Sequence, residues 1–288
     1  MNGNRSAQQG GQLLLLLQVL AVVHYSGAVM SFQKLSRILI TNDDGFDAPG
    51  LLVLAEVARE LADEVWIVAP DQDQSGISHA LSIHHPLRVT ERGARTFSVS
   101  GTPADCVAMA LQQLMGEPPQ LILSGINKGA NLGVETVFSG TVGAAMAGLL
   151  LGVPSIALSQ ALTRRDSVRW DTARQLAPDV IRNVWGLGWE QGSCLNINFP
   201  DVPAAEAGPM QFTTQGAGRI DALEVTSRTD MRERDYFWLS IHRHDLADAP
   251  GSETHVVMNG GVSVTPLRFE RTDTAMLEQL RTRLNKPF

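Results

Sequence analysis

Asp43 and Asp44 stand side by side where the apolar run Ile38-Leu39-Ile40 stops, in the segment Thr41-Asn42-Asp43-Asp44-Gly45. Adjacent carboxylates repel unless a shared proton or a cation relieves them. A hard divalent ion taking oxygen ligands is the economical relief. Asn, Asp and Gly are also good turn formers, so the pair by itself fits a plain turn equally. Two further polar segments carry glycine, 71–78 and 124–133, and they contribute the hydroxyl of Ser75 and the amide oxygen of Asn127. The set Asp43, Asp44, Ser75 and Asn127 offers oxygen alone, which suits Mg²⁺, Mn²⁺ or Ca²⁺ rather than a thiophilic ion. Two carboxylates nearly cancel a divalent charge, and a phosphate dianion can then approach without repulsion. Ser139-Gly140-Thr141 opens an apparent helix, so its first backbone N–H groups and two hydroxyls could face an anion. Asn131 could donate from the opposing loop. Ordinary N-capping by Ser or Thr explains the helix start equally well on its own.

These residues need elements to hold them. Ile38 to Ile40 lack polar alternation, the pattern of a strand covered on both faces, and open α/β sheets bind ligands at the carboxyl ends of such strands. Asp47 is placed to cap a helix with Pro49 in its first turn. Leu51, Leu54, Ala55, Ala58, Leu61 and Ala62 then keep a helical period to about Asp63. Val65 to Ala69 predict a strand ending at Pro70. Thr102-Pro103-Ala104-Asp105 is a capping-box-like start leading into 107–115. Further strands are predicted at 121–123 and 153–158, and helices at 139–151, closed by Gly152, and at about 171–185. Alternating strand and helix imply a parallel sheet over 31–200. Beyond Pro200 the pattern changes to longer loops, strands at 236–242 and 262–267, and a last helix near 272–284, which reads as a smaller lobe over 201–288.

Composition excludes several classes. With 288 residues and 44% apolar content the chain can bury one large core, or a core plus a smaller lobe. Lys+Arg 23 against Asp+Glu 30 gives a net charge of -7, with no basic face for a nucleic-acid polymer. Cys106 and Cys194 are far apart, without His or Cys at metal spacing, and read as buried thiols. Residues 1–30 hold one charge, Arg5, and the apolar runs 13–17 and 19–23, too short to span a bilayer. The stretch resembles the core of a secretory signal, with Ser26-Gly27-Ala28 as a cleavage site. Its thin positive region and the placement of Met30 before the first strand favour a spurious start or a disordered extension, and a cytoplasmic protein without a membrane span. No G-x-G-x-x-G follows a strand, and neither G-x-x-x-x-G-K-[ST] nor G-x-S-x-G occurs, which disfavours dinucleotide, P-loop and serine-hydrolase chemistry. The histidines read as surface or core residues, with His244 and His255 left as candidates for contacts in the second lobe.

Taken together, the segments 40–45 with Ala48-Pro49-Gly50, Ala69-Pro70-Asp71 with Ser75-Gly76, 101–107, Ser124 to Asn127 with Asn131 to Gly133, and 139–142 resemble the SurE family (survival protein E) of metal-dependent 5'/3'-nucleotidases. The similarity runs from about Arg37 to the last helix. The resemblance implies Asp43, Asp44, Ser75 and Asn127 as ligands of one Mg²⁺ or Mn²⁺, and Asn131, Ser139, Gly140 and Thr141 as the phosphate cradle. It implies a Rossmann-like α/β fold, a mostly parallel sheet with helices on both faces, and a smaller C-terminal lobe with a β-hairpin and terminal helix. That lobe would serve a homodimer or homotetramer. The loop 71–75 lacks the basic residue many members place there, and Gly261 stands where an aromatic is common; both bear on nucleotide preference.

The expected reaction is hydrolysis of a nucleoside 5'-monophosphate, with 3'-monophosphates and short polyphosphates as further substrates, Asp43 acting as general base. Asp43 as nucleophile ranks second because the D-x-D arrangement of aspartyl-phosphate chemistry is missing. The rival from another class is a non-catalytic regulatory module that binds metal and nucleotide without turnover.

Overall fold

The strand β1 (Leu35–Thr41) buries Ile38, Leu39 and Ile40 completely, because helices cover both faces of the sheet it centres. The computed structural model describes residues 32–164, 166–189, 192–243 and 249–284. The apolar stretch 13–23, the small residues at 26–28 and His244 lie outside the described residues. After β1 comes α1 (Pro49–Leu61), whose first turn accepts proline because that N–H has no intrahelical partner. Its N-cap is Ala48, with no side-chain cap, so Asp47 does not take the expected capping role. The apolar face of Leu51, Leu54 and Leu61 and the proline suffice to start it.

β2 (Ala62–Pro70) runs parallel to β1. An edge hairpin that the sequence did not announce follows, β3 (Val89–Gly93) and β4 (Thr96–Val99), with β4 parallel to β2. β3 reads Val-Thr-Glu-Arg-Gly and is exposed throughout, so no buried face imposes an alternation. α2 (Pro103–Met109) begins on the predicted capping box: the Thr102 hydroxyl accepts from the Asp105 N–H, and the Asp105 carboxylate accepts from the Thr102 N–H. The helix widens into a π turn at Ala110–Leu114 rather than running evenly to Met115. β5 (Leu121–Lys128), α3 (Gly140–Leu150), β6 (Ser155–Gln160), α4 (Trp170–Leu187) and β7 (Cys194–Phe199) continue the alternation.

The chain beyond Pro200 does not fold as one separate layer. β8 (Met210–Phe212) and, later, β11 (Val262–Leu267) complete the main sheet, whose order is β3-β4-β2-β1-β5-β6-β7-β11-β8. β11 lies antiparallel to β7, pairing Val264 with Ile197. The expected division at residue 200 therefore does not follow the sheet: the inner strands of the core draw a late strand back to cover β7. Among the described residues, only β9 (Ile220–Thr229) and β10 (Asp235–Arg243) form a sheet of their own, an antiparallel hairpin. α5 (Glu253–Met258) precedes β11, and α6 (Thr274–Leu284) closes the described chain.

α1 and α4 pack on one face of the sheet, through Leu54, Val57, Leu61, Ala177, Ile181 and Val184 against Ile38, Ile40 and Leu123. α2 and α3 cover the other, where Cys106, Val107 and Ala144 meet Leu39, Val68 and Ile122. No helix among the described residues is long and apolar enough to cross a membrane. Strand order reverses at β1, which passes to β2 on one side while β5 lies on the other. A crevice opens at the carboxyl ends of strands at such a switch point.

Candidate active site

Thr41 and Ser124 are partners in the β1–β5 register, so the residues that follow each strand enter that crevice side by side. Asn42 closes the first turn by donating its side-chain N–H to the Gly45 carbonyl at 2.7 Å. Gly45 takes a φ of 99°, in the left-handed region that glycine adopts freely. The turn leaves Asp43 4% exposed.

Backbone bonds bring the other loops to it. The Gln74 N–H donates to the Asp43 carbonyl at 2.7 Å, and the Asp73 carboxylate accepts from the Ser75 N–H at 2.8 Å, which fixes Ser75 in the loop after β2. From β5, the Lys128 N–H donates to Asp44 Oδ2 at 3.0 Å. Asn127 gives its amide N–H to the Gly129 carbonyl at 2.8 Å, which leaves its Oδ1 available. The turn that carries Asp43 and Asp44 is thus tied on one side to the loop of Ser75 and on the other to the end of β5, which carries Asn127.

The first turn of α3 meets the same carboxylate. Thr141 Oγ1 donates to Asp43 Oδ1 at 2.5 Å. A Cβ on Gly140 would lie 2.7 Å from Asp43 Cβ and 2.9 Å from Asp43 Oδ2, so only glycine lets the helix come this close. Ser139 is the N-cap and accepts from the Val142 N–H at 3.1 Å, while its own hydroxyl proton remains to be donated. Ser78 locks the loop after β2 onto the approach to α3, through its N–H to the Phe138 carbonyl at 3.0 Å and its hydroxyl to the Val137 carbonyl at 2.6 Å.

Asn131 is held by β6 and β7. Its N–H donates to Asn198 Oδ1 at 2.8 Å and its side-chain amide to Ser159 Oγ at 2.9 Å. Its carbonyl accepts from Asn196 at 2.9 Å and Asn198 at 3.2 Å. The Gly133 N–H is bound by the Glu253 carboxylate, which also accepts from Thr265 Oγ1 at 2.8 Å. These supports of the 131–133 loop were not identified from sequence. A trace of them exists in Asn196-Ile197-Asn198, two amides at strand spacing inside an otherwise apolar run.

Burial pushes the Asp43 carboxyl up to about 7; the Thr141 hydroxyl opposes this and the neighbouring Asp44 charge adds to it. Asp44 is raised too, first by burial, with the Lys128 N–H opposing. A buried carboxyl and a half-buried one side by side both have their charged forms disfavoured, which a nearby cation would relieve. No cluster of three or more His, Cys, Asp or Glu that could hold a metal occurs among the described residues. Ser75 and Asn127 carry neutral oxygens of the hard kind. Asn42 Oδ1 is a further buried oxygen without a hydrogen-bond partner beside the pair. The donor set therefore fits a hard divalent cation. Both cysteines are buried thiols, Cys194 pushed up to about 12 by burial, and neither offers a thiolate. A shallow cavity of about 370 Å³ lies at the opposite, amino end of the strands, lined by Leu35, Ser36, Asp63 and Gln120, away from this chemistry.

Comparison with known proteins agrees with the geometry. The family model described as survival protein SurE matches residues 38–222. The 5'-nucleotidase SurE 1 of Burkholderia lata is 56% identical over 249 residues, covering 86% of this chain and 96% of that protein. The 5'-nucleotidase SurE of Bradyrhizobium diazoefficiens is 45% identical over 249 residues, covering 85% and 98%. The crystal structure of the Sure protein from Aquifex aeolicus matches with a TM-score of 0.73 and 33% sequence identity, covering 86% of this chain and all of that one. With the family model spanning most of the sheet and both carboxylates, this chain belongs to the SurE family, survival protein SurE.

Proposed function

We propose that this chain is a metal-dependent phosphatase that hydrolyses nucleoside 5'-monophosphates to nucleoside and phosphate. The observation that carries the reading is the adjacent pair of Asp43, buried at the switch point against the N-terminus of α3, and Asp44, half-buried beside it, in a chain 56% identical to a protein named a 5'-nucleotidase. Asp43, Asp44, Ser75 and Asn127 would hold one divalent ion, Mg²⁺ or Mn²⁺ by the hardness of their oxygens. When bound, that ion supplies Lewis-acid polarisation of the phosphoryl group. Ser139 and the Gly140 N–H at the start of α3 orient the phosphate, since a helix N-terminus favours an anion. Asn131, set by Ser159 and Asn198, closes the cradle from the opposite loop. Asp43, held by the Thr141 hydroxyl, accepts the proton of the attacking water as general base.

Release of phosphate from AMP and GMP, measured with Mn²⁺ or Mg²⁺ and again after EDTA, tests this reading. Turnover that EDTA abolishes and added metal restores is the expected result. Nucleotide binding without turnover would instead make the protein a metal- and nucleotide-binding regulatory module.

The same reading extends to assembly. β10 exposes Phe237, Trp238 and Leu239, each more than 60% exposed, and α6 has no buried residue. A two-stranded hairpin is marginal by itself, and an apolar patch of this kind favours burial against another copy. The protein is thus read as a homodimer or homotetramer, and with two buried free thiols it suits the cytoplasm.

A further inference from the structure

Thr141 turns inward. It has no exposed surface, and its hydroxyl lies 2.5 Å from Asp43 Oδ1. A threonine hydroxyl carries a single proton, so one that is donated to Asp43 cannot also be donated to a phosphate oxygen. The surroundings hold the two side chains together. Gly140 presses on the same carboxylate from the preceding position, the Gln74 N–H ties down the Asp43 carbonyl, and Ser139 caps the helix that carries Thr141.

We propose that Thr141 is a positioning residue for the cation site: by binding Asp43 Oδ1 it holds that carboxylate in one orientation for the metal, and its hydroxyl makes no contact with the phosphate. The inference rests on the reading of Asp43 as a metal ligand. Asp43 stands on a loop, where an unsupported carboxylate would rotate among several orientations. A hydroxyl on a capped helix removes that freedom before the ion arrives. Partners behind a metal ligand act on metal affinity in this way, through orientation and basicity.

The test separates metal affinity from substrate affinity. Binding of Mn²⁺ alone, followed by electron paramagnetic resonance of the free ion, is compared for the parent chain, Thr141→Val, Thr141→Ser and Asp43→Asn. The KM for AMP is then measured at saturating Mn²⁺. Thr141→Val should weaken Mn²⁺ binding by about 10- to 100-fold, Thr141→Ser should stay close to the parent, and the KM for AMP at saturating metal should hold. A raised KM for AMP with unchanged Mn²⁺ affinity would return Thr141 to the phosphate and overturn the proposal. If Asp43→Asn loses Mn²⁺ while Thr141→Val does not, the positioning role alone fails. If Asp43→Asn leaves Mn²⁺ binding intact, the metal reading fails and takes this inference with it. Should Thr141→Val not fold by circular dichroism, Thr141→Ala carries the same comparison.

Discussion

Asp43 and Asp44 are adjacent in sequence but held by different means. Asp43 is gripped by α3 and by the loop after β2; Asp44 receives its bond from the end of β5. Replacing Asp44 by Asn keeps the shape and the capacity to accept from the Lys128 N–H, yet removes one of the two charges that balance a divalent ion. Asp44→Asn is therefore expected to cut metal-dependent phosphate release by at least about 100-fold with the circular dichroism spectrum unchanged. Turnover at the parent rate would take Asp44 out of the site. At this scale much was legible: paired acids in a glycine turn, a serine and an asparagine in two other glycine-bearing loops. Where each side chain points was not, because a residue such as Thr141 can face a ligand or a neighbour with the same sequence around it.

Elements decide how close these groups come. α3 begins Ser139-Gly140-Thr141, where the first residue caps the helix, the second makes room by lacking a side chain, and the third donates to Asp43. Ser139→Ala removes the bond to the Val142 N–H and is expected to lower stability by about 1 kcal/mol, as for an ordinary N-cap. Under the phosphate reading it also raises the KM for AMP more than it lowers kcat. Thermal melting and steady-state kinetics check the two effects separately, and a stability loss with unaltered kinetics would leave Ser139 a cap alone. Helix and strand periods located α1, α3, α4 and the inner strands, since apolar runs bounded by Pro, Gly and caps carry strong local signals. β3 escaped because its residues are wholly exposed and impose no alternation. β7 escaped because its two asparagines interrupt an apolar run, and only the fold reveals that they grip Asn131.

The whole molecule joins its late segments to the site. Glu253, fully buried on α5, binds the Gly133 N–H and Thr265, so it connects the 131–133 loop with β11. Burial raises its carboxyl above the ordinary range, against the opposing bonds from Gly133 and Thr265. The unfolded chain titrates at the ordinary value, so between that value and the raised one the folded state holds the additional proton. The contribution of Glu253 is thus complete below the ordinary carboxylate value and is lost as pH rises through the raised one. Urea unfolding across that window should show a slope that Glu253→Gln flattens; parallel curves for the two proteins would contradict it. The hairpin is also tied back, with Arg243 donating to Glu135 at 2.9 Å beside the approach to α3. If β10 faces another copy, Trp238→Glu combined with Leu239→Glu should yield monomers in sedimentation. An unchanged mass would exclude β10 from the interface.

Residue types at short range dictated which chemistry this protein can do, because hard oxygen donors, glycine turns and a capped helix start are all local properties of the chain. They dictated the parallel alternation as well, since buried strands and amphipathic helices write their periods locally. Folding in three dimensions was needed to return β11 to the main sheet, to hold Asn131 with strands far along the chain, and to turn Thr141 toward Asp43. Those outcomes depend on which surfaces meet across long separations, where the gain comes from covering β7 and from satisfying buried polar groups, and no short window of residues encodes either.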